Sequence, residues 1–302
     1  MAGGIQLSAG GQIQTGRLDT SSVRTGGSAD VMSAGGGIMV GPIVVSGITI
    51  ASGEISLRAD ADIAVNGDLT SAGVAGGEIL VQSDNGRIDT IGSVNSSGYS
   101  SAAGSTGGDI TLTANGNVTT NSINASGNMT GGDILVQSTN DSISSNNFSI
   151  VSNGDFSAVG STGGDISLTA NGNVTPRSIN SSGNMIGGDV LVQSTTGHFD
   201  SFSVNSFADT GVTGSRGGNV TINTNTTLTI YDIKSNGELS AGNIRLTAGG
   251  NVTTRVLDAF SVETGGEVEV MSVAGTITVD DVTSGASRLF SDADHDRQCG
   301  RC

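Results

Sequence analysis

The chain has 302 residues and a formal net charge of −16; it is rich in Gly (49 residues) and poor in Pro (2 residues) and aromatic residues (3%). The acidic balance argues against nucleic acid or an anionic membrane surface as a partner, because both attract basic proteins. No segment approaches the roughly 20 apolar residues of a transmembrane helix, so no membrane insertion is expected. A core with few aromatic residues must be built from the Val, Ile and Leu residues spread along the chain.

A short phrase, Gly-Gly-Asp/Glu-Ile-x-Leu with looser variants, recurs along the whole chain. It marks 11 units, which begin near residues 4, 30, 54, 78, 109, 133, 165, 189, 219, 243 and 267. The segment 105–160 is itself repeated, with few changes, from 161 to about 215. A fixed period of this kind indicates a repeat architecture in which each unit stacks on the next.

Each unit contains three short segments in which apolar residues alternate with polar ones, as in Ile110-Thr111-Leu112, Val118-Thr119-Thr120 and Ile123-Asn124-Ala125. Residues i and i+2 of a strand face the same side, and the Asn- and Gly-rich separators are typical of turns. The pattern predicts an all-β fold: a right-handed, three-sided parallel β-helix (solenoid) of about 11 rungs. Rungs of about 24 residues, with longer loops on alternate rungs, would form a single array over 1–285.

The spacing between the first and second strands alternates between 8 and 9 residues, as from Ile110 to Val118 and from Ile134 to Ile143. Unit length alternates in step, and the surplus residues lie before every second Gly-Gly. The structural repeat is therefore one rung, whereas the sequence repeat is two rungs. We expect loops over 97–106, 153–162 and 208–216 to project from one edge of the rod.

The outward position of the first strand also alternates between polar and apolar residues, which predicts an exposed line of leucines. In one interpretation the long loops fold back and cover this line. In the other, the edge is a lateral docking strip for a partner or for another rod. The possible partner-binding edge comprises Leu80, Leu135, Leu191, Tyr99, Phe156 and Val159.

Acidic residues recur at one corner of the predicted rod, directly after the Gly-Gly turn. These turn acids are Glu54, Glu78, Asp109, Asp133, Asp165, Asp189 and Glu267. A column of carboxylates could perform acid–base chemistry or bind a metal, but acids at strand entries also accept backbone N–H bonds. We favour the structural role, because these acids follow the period, whereas a catalytic site breaks a repeat locally. No catalytic residue, metal or cofactor is therefore expected.

The last residues, 286–302, leave the repeat and are expected to form an irregular tail. Asp292, Asp294 and Asp296 resemble the start of a calcium loop, but Arg297 replaces the Gly that the turn requires. Cys299 and Cys302 form a lone C-x-x-C, which by itself is a weak indication of a redox pair or half a zinc site. The two histidines, His198 and His295, are far apart in sequence, and we expect neither to be a ligand.

The phrases GGDITLTANGNVTT, NSINASGN and GGDILVQS resemble the haemagglutinin-type repeats of filamentous-haemagglutinin-like exoproteins of two-partner secretion. The resemblance covers about 3–285 and implies a parallel β-helix, secretion through an outer-membrane transporter partner, and a role in adhesion, aggregation or toxin display. The chain departs from that family by lacking a signal peptide and the N-terminal secretion domain with its Asn-Pro-Asn motifs. It is therefore expected to be a segment of a longer exoprotein or a truncated reading frame.

Together these observations predict a non-enzymatic stalk or adhesion segment of a secreted or surface-displayed protein. Its partners would be other proteins or surface glycans, at the cell surface or outside the cell. One alternative is a carbohydrate-binding or polysaccharide-degrading β-helix enzyme, and another is a carrier for a C-terminal toxin domain. A cleft in which acidic and basic residues converge out of register with the repeat would favour the enzyme.

Overall fold

The structure, a computed structural model that describes residues 2–144 and 149–291, is all-β within those residues. Parallel strands stack as a β-solenoid of about 11 turns, with successive turns about 25 residues apart. The fold class predicted from the sequence is confirmed. Strands pair in parallel with their counterparts in neighbouring rungs, so the chain climbs the rod by one rung per unit.

The first strand of every rung belongs to one continuous parallel sheet of 12 strands. Its strands are Ile5–Ala9, Ala29–Ser33, Ile55–Ala59, Ile79–Ser83, Ile110–Ala114, Ile134–Ser138, Ile166–Ala170, Val190–Ser194, Val220–Thr224, Ile244–Ala248, Glu267–Ser272 and Ala286–Ser291. The last of these lies within the segment expected to be irregular, so strand pairing extends six residues past the predicted array.

The second and third strands form the other walls of the rod. The second strands are Ile13–Thr15, Ile38–Val40, Ile63–Val65, Ile88–Thr90, Val118–Thr119, Ile143–Ser144 and Val174–Thr175. The third strands are Leu18–Asp19, Ile43–Val44, Leu69–Thr70, Ser93–Asn95, Ser122–Asn124, Ser149–Val151 and Ser178–Asn180. A small additional sheet pairs Gly47–Ala51 with Gly73–Ala75.

In the later rungs the second and third strands run on as one strand of seven residues. These fused strands are Phe199–Asn205, Leu228–Lys234, Val252–Asp258 and Ile277–Thr283. Earlier rungs have Gly92, Asn121 or Pro176 at the intervening corner, whereas the fused strands have Ile230-Tyr231 or Thr254-Arg255 there. β-Branched and aromatic residues favour extended backbone, which explains why the predicted break is lost.

The core is a column of aliphatic side chains that point inward from all three walls. Ile110, Leu112, Val118 and Ile123 from one rung are fully buried, and their counterparts repeat along the rod. One rung cannot bury these side chains alone, because its upper and lower surfaces need the neighbouring rungs. Phe199 is the one large aromatic side chain in the core of the described residues.

The alternation between 8- and 9-residue spacing follows from a hydrogen bond between rungs. Each 9-residue rung ends its first strand with a buried serine, such as Ser138, whose hydroxyl donates to the Gly116 carbonyl at 2.8 Å. Five of the six 8-residue rungs have Ala at this position, as at Ala114, and the sixth has Thr224. The longer turn of one rung therefore stacks on the shorter turn of the preceding rung. The serine hydroxyl donates a hydrogen bond to a backbone carbonyl of that shorter turn.

A second serine column closes the rungs at the opposite corner. The hydroxyl of Ser152 donates to the Gly132 carbonyl at 2.5 Å, and Ser96, Ser206 and Ser235 make the equivalent bond. This corner is where the Gly-Gly phrase turns into the next rung. Glycine is required there because the two backbones approach so closely that a Cβ atom has no space.

Candidate functional site

Four of the turn acids, Asp109, Asp133, Asp165 and Asp189, form a ladder of hydrogen bonds along one corner of the rod. The Asp109 carboxylate accepts the backbone N–H of Asp133 at 2.9 Å, and Asp133 accepts that of Asp165 at 2.8 Å. Asp165 in turn accepts the N–H of Asp189 at 2.8 Å. Asn219 and Asn243 continue the ladder with side-chain amide oxygens. The carboxylates thus satisfy strand-entry backbone groups and help to stack one rung on the next.

Asp165 lies in the middle of this ladder, where the environment disfavours its charged form. Partial burial raises the pKa of its carboxyl group, and the negative charges of Asp133 and Asp189 raise it further. The hydrogen bond from the Asp189 backbone opposes this shift. The ladder therefore carries mutual repulsion between its carboxylates, which its hydrogen bonds oppose.

The predicted line of leucines lies beside the acid ladder. Leu135 and Leu191 line a shallow groove of about 560 Å³ together with the aspartates from Asp109 to Asp189. Leu135 is 39% exposed, whereas Leu80 and Leu191 are half-buried. No residue of the three long loops lines this groove, so the structure does not show the loops folding back over the leucines.

The three long loops share one conformation, which is fastened in two places. Within each loop a serine hydroxyl donates to a carbonyl six residues earlier, as from Ser105 to Tyr99 at 2.8 Å. A side chain of the next rung then accepts a backbone N–H near the loop's end, as Asn128 does from Gly104 at 3.3 Å. Asn184 and Glu238 do the same for the second and third loops.

Two of the predicted edge residues, Phe156 and Val159, lie in the second loop and face solvent. Phe156 stacks on Phe207, two rungs further along, with ring centroids 5.3 Å apart. Val159 is 83% exposed. Tyr99, in the first loop, is half-buried. The structure therefore places Leu135 and Leu191 beside the acid ladder and Phe156 and Val159 on a long loop outside that groove, so the predicted edge is not one surface.

A second groove, of about 430 Å³, lies on the wall of fused strands, where the sequence analysis placed no site. Strand register aligns Asp200, Thr229, Thr253 and Thr278 in one outward column. The same register aligns a second outward column two residues further along each strand. That column contains Phe202, Tyr231, Arg255 and Asp280, and all eight residues of the two columns are exposed.

Arg255 is the centre of the interactions in this groove. Its guanidinium forms an ion pair with Asp232 at 2.8 Å and lies 4.3 Å from the centroid of the Tyr231 ring. Tyr231 stacks on Phe202 with centroids 5.1 Å apart and ring planes 11° apart. The hydrogen bond to Asp232 and the nearby negative charges raise the pKa of Arg255. The aromatic pair and the guanidinium thus form one ordered stack along the rod.

A signal for this groove was present in the sequence. Phe202 precedes Tyr231 by 29 residues, and Tyr231 precedes Arg255 by 24, which are the distances between equivalent second-strand positions in those rungs. If the rungs are aligned by the first residue of the second strand, rather than by the Gly-Gly phrase, the three residues occupy equivalent positions. The aromatic rings of Phe202 and Tyr231 contrast with Asn121 and Arg177 at this corner in the repeated rungs, whereas Arg255 is of the same type as Arg177.

Other candidate chemistry finds little support in the described residues. No group of three or more His, Cys, Asp or Glu side chains there could hold a metal ion. His198 donates its backbone N–H to the side chain of Asn173 and so takes part in rung stacking. His295, the aspartates of the tail, Cys299 and Cys302 lie outside the described residues. Residues 2–144 and 149–291 contain no helix that is long and apolar enough to cross a membrane.

Fold and surface together define a β-solenoid repeat protein with grooves on two of its walls. No known protein family, no curated protein and no solved structure matches this chain.

Proposed function

We propose that the chain is a structural stalk and adhesion segment of a secreted or surface-displayed, filamentous-haemagglutinin-like protein that mediates cell-surface or cell–cell contact. The observation that carries the proposal is the unbroken parallel sheet of 12 first strands. At about 4.8 Å per rung it makes a rod on the order of 50 Å long. Partners would be other proteins or surface glycans, and the complete protein would use an outer-membrane transporter partner.

Rigidity supports this role. Each rung is tied to the next by strand pairing, by the turn ladder and by the two serine columns, and the long loops are fastened to the following rung. A solenoid of this kind holds its surface residues at fixed intervals along an axis. That property suits a segment that must project a binding surface away from a cell.

The test is display of the chain on non-adherent bacterial cells through a membrane anchor. We expect displaying cells to aggregate or to adhere to cell monolayers several-fold more than cells that carry the anchor alone. Equal adhesion by the two cell types would contradict the proposal.

The stalk role has its own test, deletion of residues 109–164. This deletion joins Gly108 to Asp165 and so restores the Gly-Gly-Asp phrase.

Such a deletion removes two rungs. Small-angle scattering should therefore show a folded rod that is shorter by about 10 Å. Loss of the folded state would show that the rungs are not the independent spacers that a stalk requires.

A polysaccharide-degrading enzyme is the second candidate function. It is favoured by Asp200, Asp280 and Arg255, two acids and a base that line the same groove. Against it, Asp200 and Asp280 are three rungs apart, at least about 14 Å, whereas the paired carboxyl groups of glycoside hydrolases lie roughly 5–10 Å apart. The test is release of reducing ends from neutral polysaccharides. Release by the wild type, abolished in Asp280→Asn, would establish the enzyme in place of the adhesin.

A further inference from the structure

The groove on the fused strands, described above, offers evenly spaced contacts along the rod. Its two outward columns each supply one side chain per rung over four rungs, from Asp200 and Phe202 to Thr278 and Asp280. At about 4.8 Å per rung, the first and last contacts of a column lie about 14 Å apart. A ligand that used all of them would be an extended chain of several units lying parallel to the axis.

Backbone pairing in this wall excludes one way of binding such a chain. The main-chain groups of Phe199–Asn205, Leu228–Lys234 and Val252–Asp258 are paired with the rungs on either side. A peptide strand that adds to a sheet needs an unpaired edge, and the groove lies on the face of the sheet instead. The ligand must therefore be recognised through side chains.

The charge of the groove selects against acidic ligands. Arg255 is the one cation among the lining residues, and it is already paired with Asp232. The carboxylates of Asp200 and Asp280 have no second cation beside them in the lining. An acidic polysaccharide or a nucleic acid would thus meet net negative charge, which makes binding unfavourable.

The remaining chemistry suits a ligand rich in hydroxyl groups. Thr229, Thr253 and Thr278 each present an exposed hydroxyl that can donate and accept a hydrogen bond. Carboxylates accept hydrogen bonds from ligand hydroxyls, and the guanidinium of Arg255 donates to ligand oxygens. The exposed surfaces of Phe202 and Tyr231 supply apolar contact for the C–H groups of a sugar ring.

From these features we infer that the groove binds a neutral polysaccharide chain that lies along the rod axis. The inference rests on the proposed adhesion function and specifies its partner at this surface. The carboxylates and threonines would bind the sugar hydroxyls, the aromatic pair would contact the sugar rings, and Arg255 would be held in place by Asp232.

The chain provides its own optical probe for the test. It contains no Trp and only two Tyr, at positions 99 and 231. In a Tyr99→Phe background, tyrosine fluorescence therefore reports Tyr231 alone. Titration with cellohexaose, mannohexaose, xylohexaose and maltohexaose should give saturable fluorescence changes with at least one of these neutral sugars. Hexagalacturonate, an acidic sugar of the same length, should bind at least tenfold more weakly.

Variants then locate the binding site. We expect Phe202→Ala and Arg255→Ala each to weaken sugar binding at least tenfold, and Thr253→Val, which removes one exposed hydroxyl, to weaken it about threefold. The matched control is Phe260→Ala, because Phe260 is 46% exposed, as is Tyr231, but lies outside the groove. This control should bind as the parent does, and circular dichroism should show all the variants folded.

Three results would overturn the inference: no binding of any neutral hexasaccharide, tighter binding of hexagalacturonate or of hexalysine than of the neutral sugars, or binding that Thr253→Val and Arg255→Ala leave unchanged. The adhesion assay separates this failure from failure of the proposed function. Displaying cells that still adhere when the purified chain binds no neutral sugar would leave the adhesion function standing without this groove. Sugar binding without any adhesion would contradict the adhesion function instead.

Discussion

The rungs over 109–188, called here the repeated rungs, and those over 189–283, called the later rungs, share one backbone plan but use their outward residues differently. In the repeated rungs, outward polar side chains bond to their counterparts in the neighbouring rung, as Asn140 does to Asn115 at 2.5 Å. In the later rungs the fused strands carry Phe202, Tyr231 and Arg255 instead. The outward side chains of the repeated rungs are thus used in hydrogen bonds between rungs, whereas those of the fused strands are exposed to solvent and chemically varied.

This difference shows where a solenoid can acquire a binding function. A position that carries rung-to-rung hydrogen bonds is constrained to residues that can make them. An outward side chain on a wall whose backbone is already fully paired is free of that constraint. Replacing the repeat's usual residue at such a position should therefore change the stability of the fold little. The groove at Tyr231 lies on such an unconstrained wall, whereas the acid ladder at Asp133 consists of the hydrogen bonds that stack the rungs.

The largest expected effect tests whether the close approach of two backbone segments requires glycine in the repeated rungs. A Cβ at Gly107 would overlap the Ala125 carbonyl oxygen and lie 2.8 Å from the Gly132 nitrogen. We expect Gly107→Ala to destabilise the rod by about 3 kcal/mol, because backbone atoms must move to make space. Urea denaturation followed by circular dichroism would measure the loss.

The control for this variant is Gly10→Ala. A Cβ at Gly10 has no atom within 4 Å, so the stability of that variant should lie close to that of the parent. Equal effects at the two positions would show that the Gly-Gly phrase is not selected for close approach.

A smaller effect tests the origin of the two-rung alternation. Ser138→Ala removes the donor to the Gly116 carbonyl and should cost about 1 kcal/mol, because that partly buried carbonyl loses its partner. The same urea transition measures it. Thr139→Ala is the matched control, since the neighbouring Thr139 side chain is exposed. If both variants were neutral, the serine bond would not explain the longer turn.

Much of this architecture could be predicted from the sequence, because it is encoded locally. The Gly-Gly phrase and the alternating residues of Ile110–Ala114 predict a strand, its inward face and its turn without knowledge of the partner rung. The 8/9 spacing was likewise visible, although its cause was not. That cause, a bond from Ser138 to the turn of the preceding rung, requires the three-dimensional stacking.

The surfaces were harder to predict, because they depend on register between rungs of unequal length. Leu135 was correctly placed outward, but its proximity to the acids of the ladder was not predicted. The stack of Phe202, Tyr231 and Arg255 crosses three rungs whose first strands begin 30 and 24 residues apart, so no local pattern links its members. Fusion of the strands also removed the turn expected between the second and third walls.

The smallest expected effect concerns the acid ladder, where the later rungs already show the neutral alternative. Asn219 accepts the N–H of Asn243 at 2.9 Å, so an amide can replace the carboxylate at this position. Asp165→Asn should keep the bond to Asp189, remove the repulsion from its neighbours, and raise stability by about 0.5 kcal/mol at pH 7. The urea midpoint of the variant would then exceed that of the parent.

The direction of this stability difference can be checked by its dependence on pH. The folded carboxyl of Asp165 has a pKa raised above its ordinary value of 3.8, so the folded state binds the proton more readily than the unfolded state. The wild type should therefore gain stability relative to Asp165→Asn as the pH falls from the raised pKa toward 3.8. Asp141→Asn, which removes an exposed carboxylate outside the ladder, is the control for the substitution itself. A difference between Asp165→Asn and the wild type that widened at low pH would mean that the ladder is held by charge rather than by its hydrogen bonds.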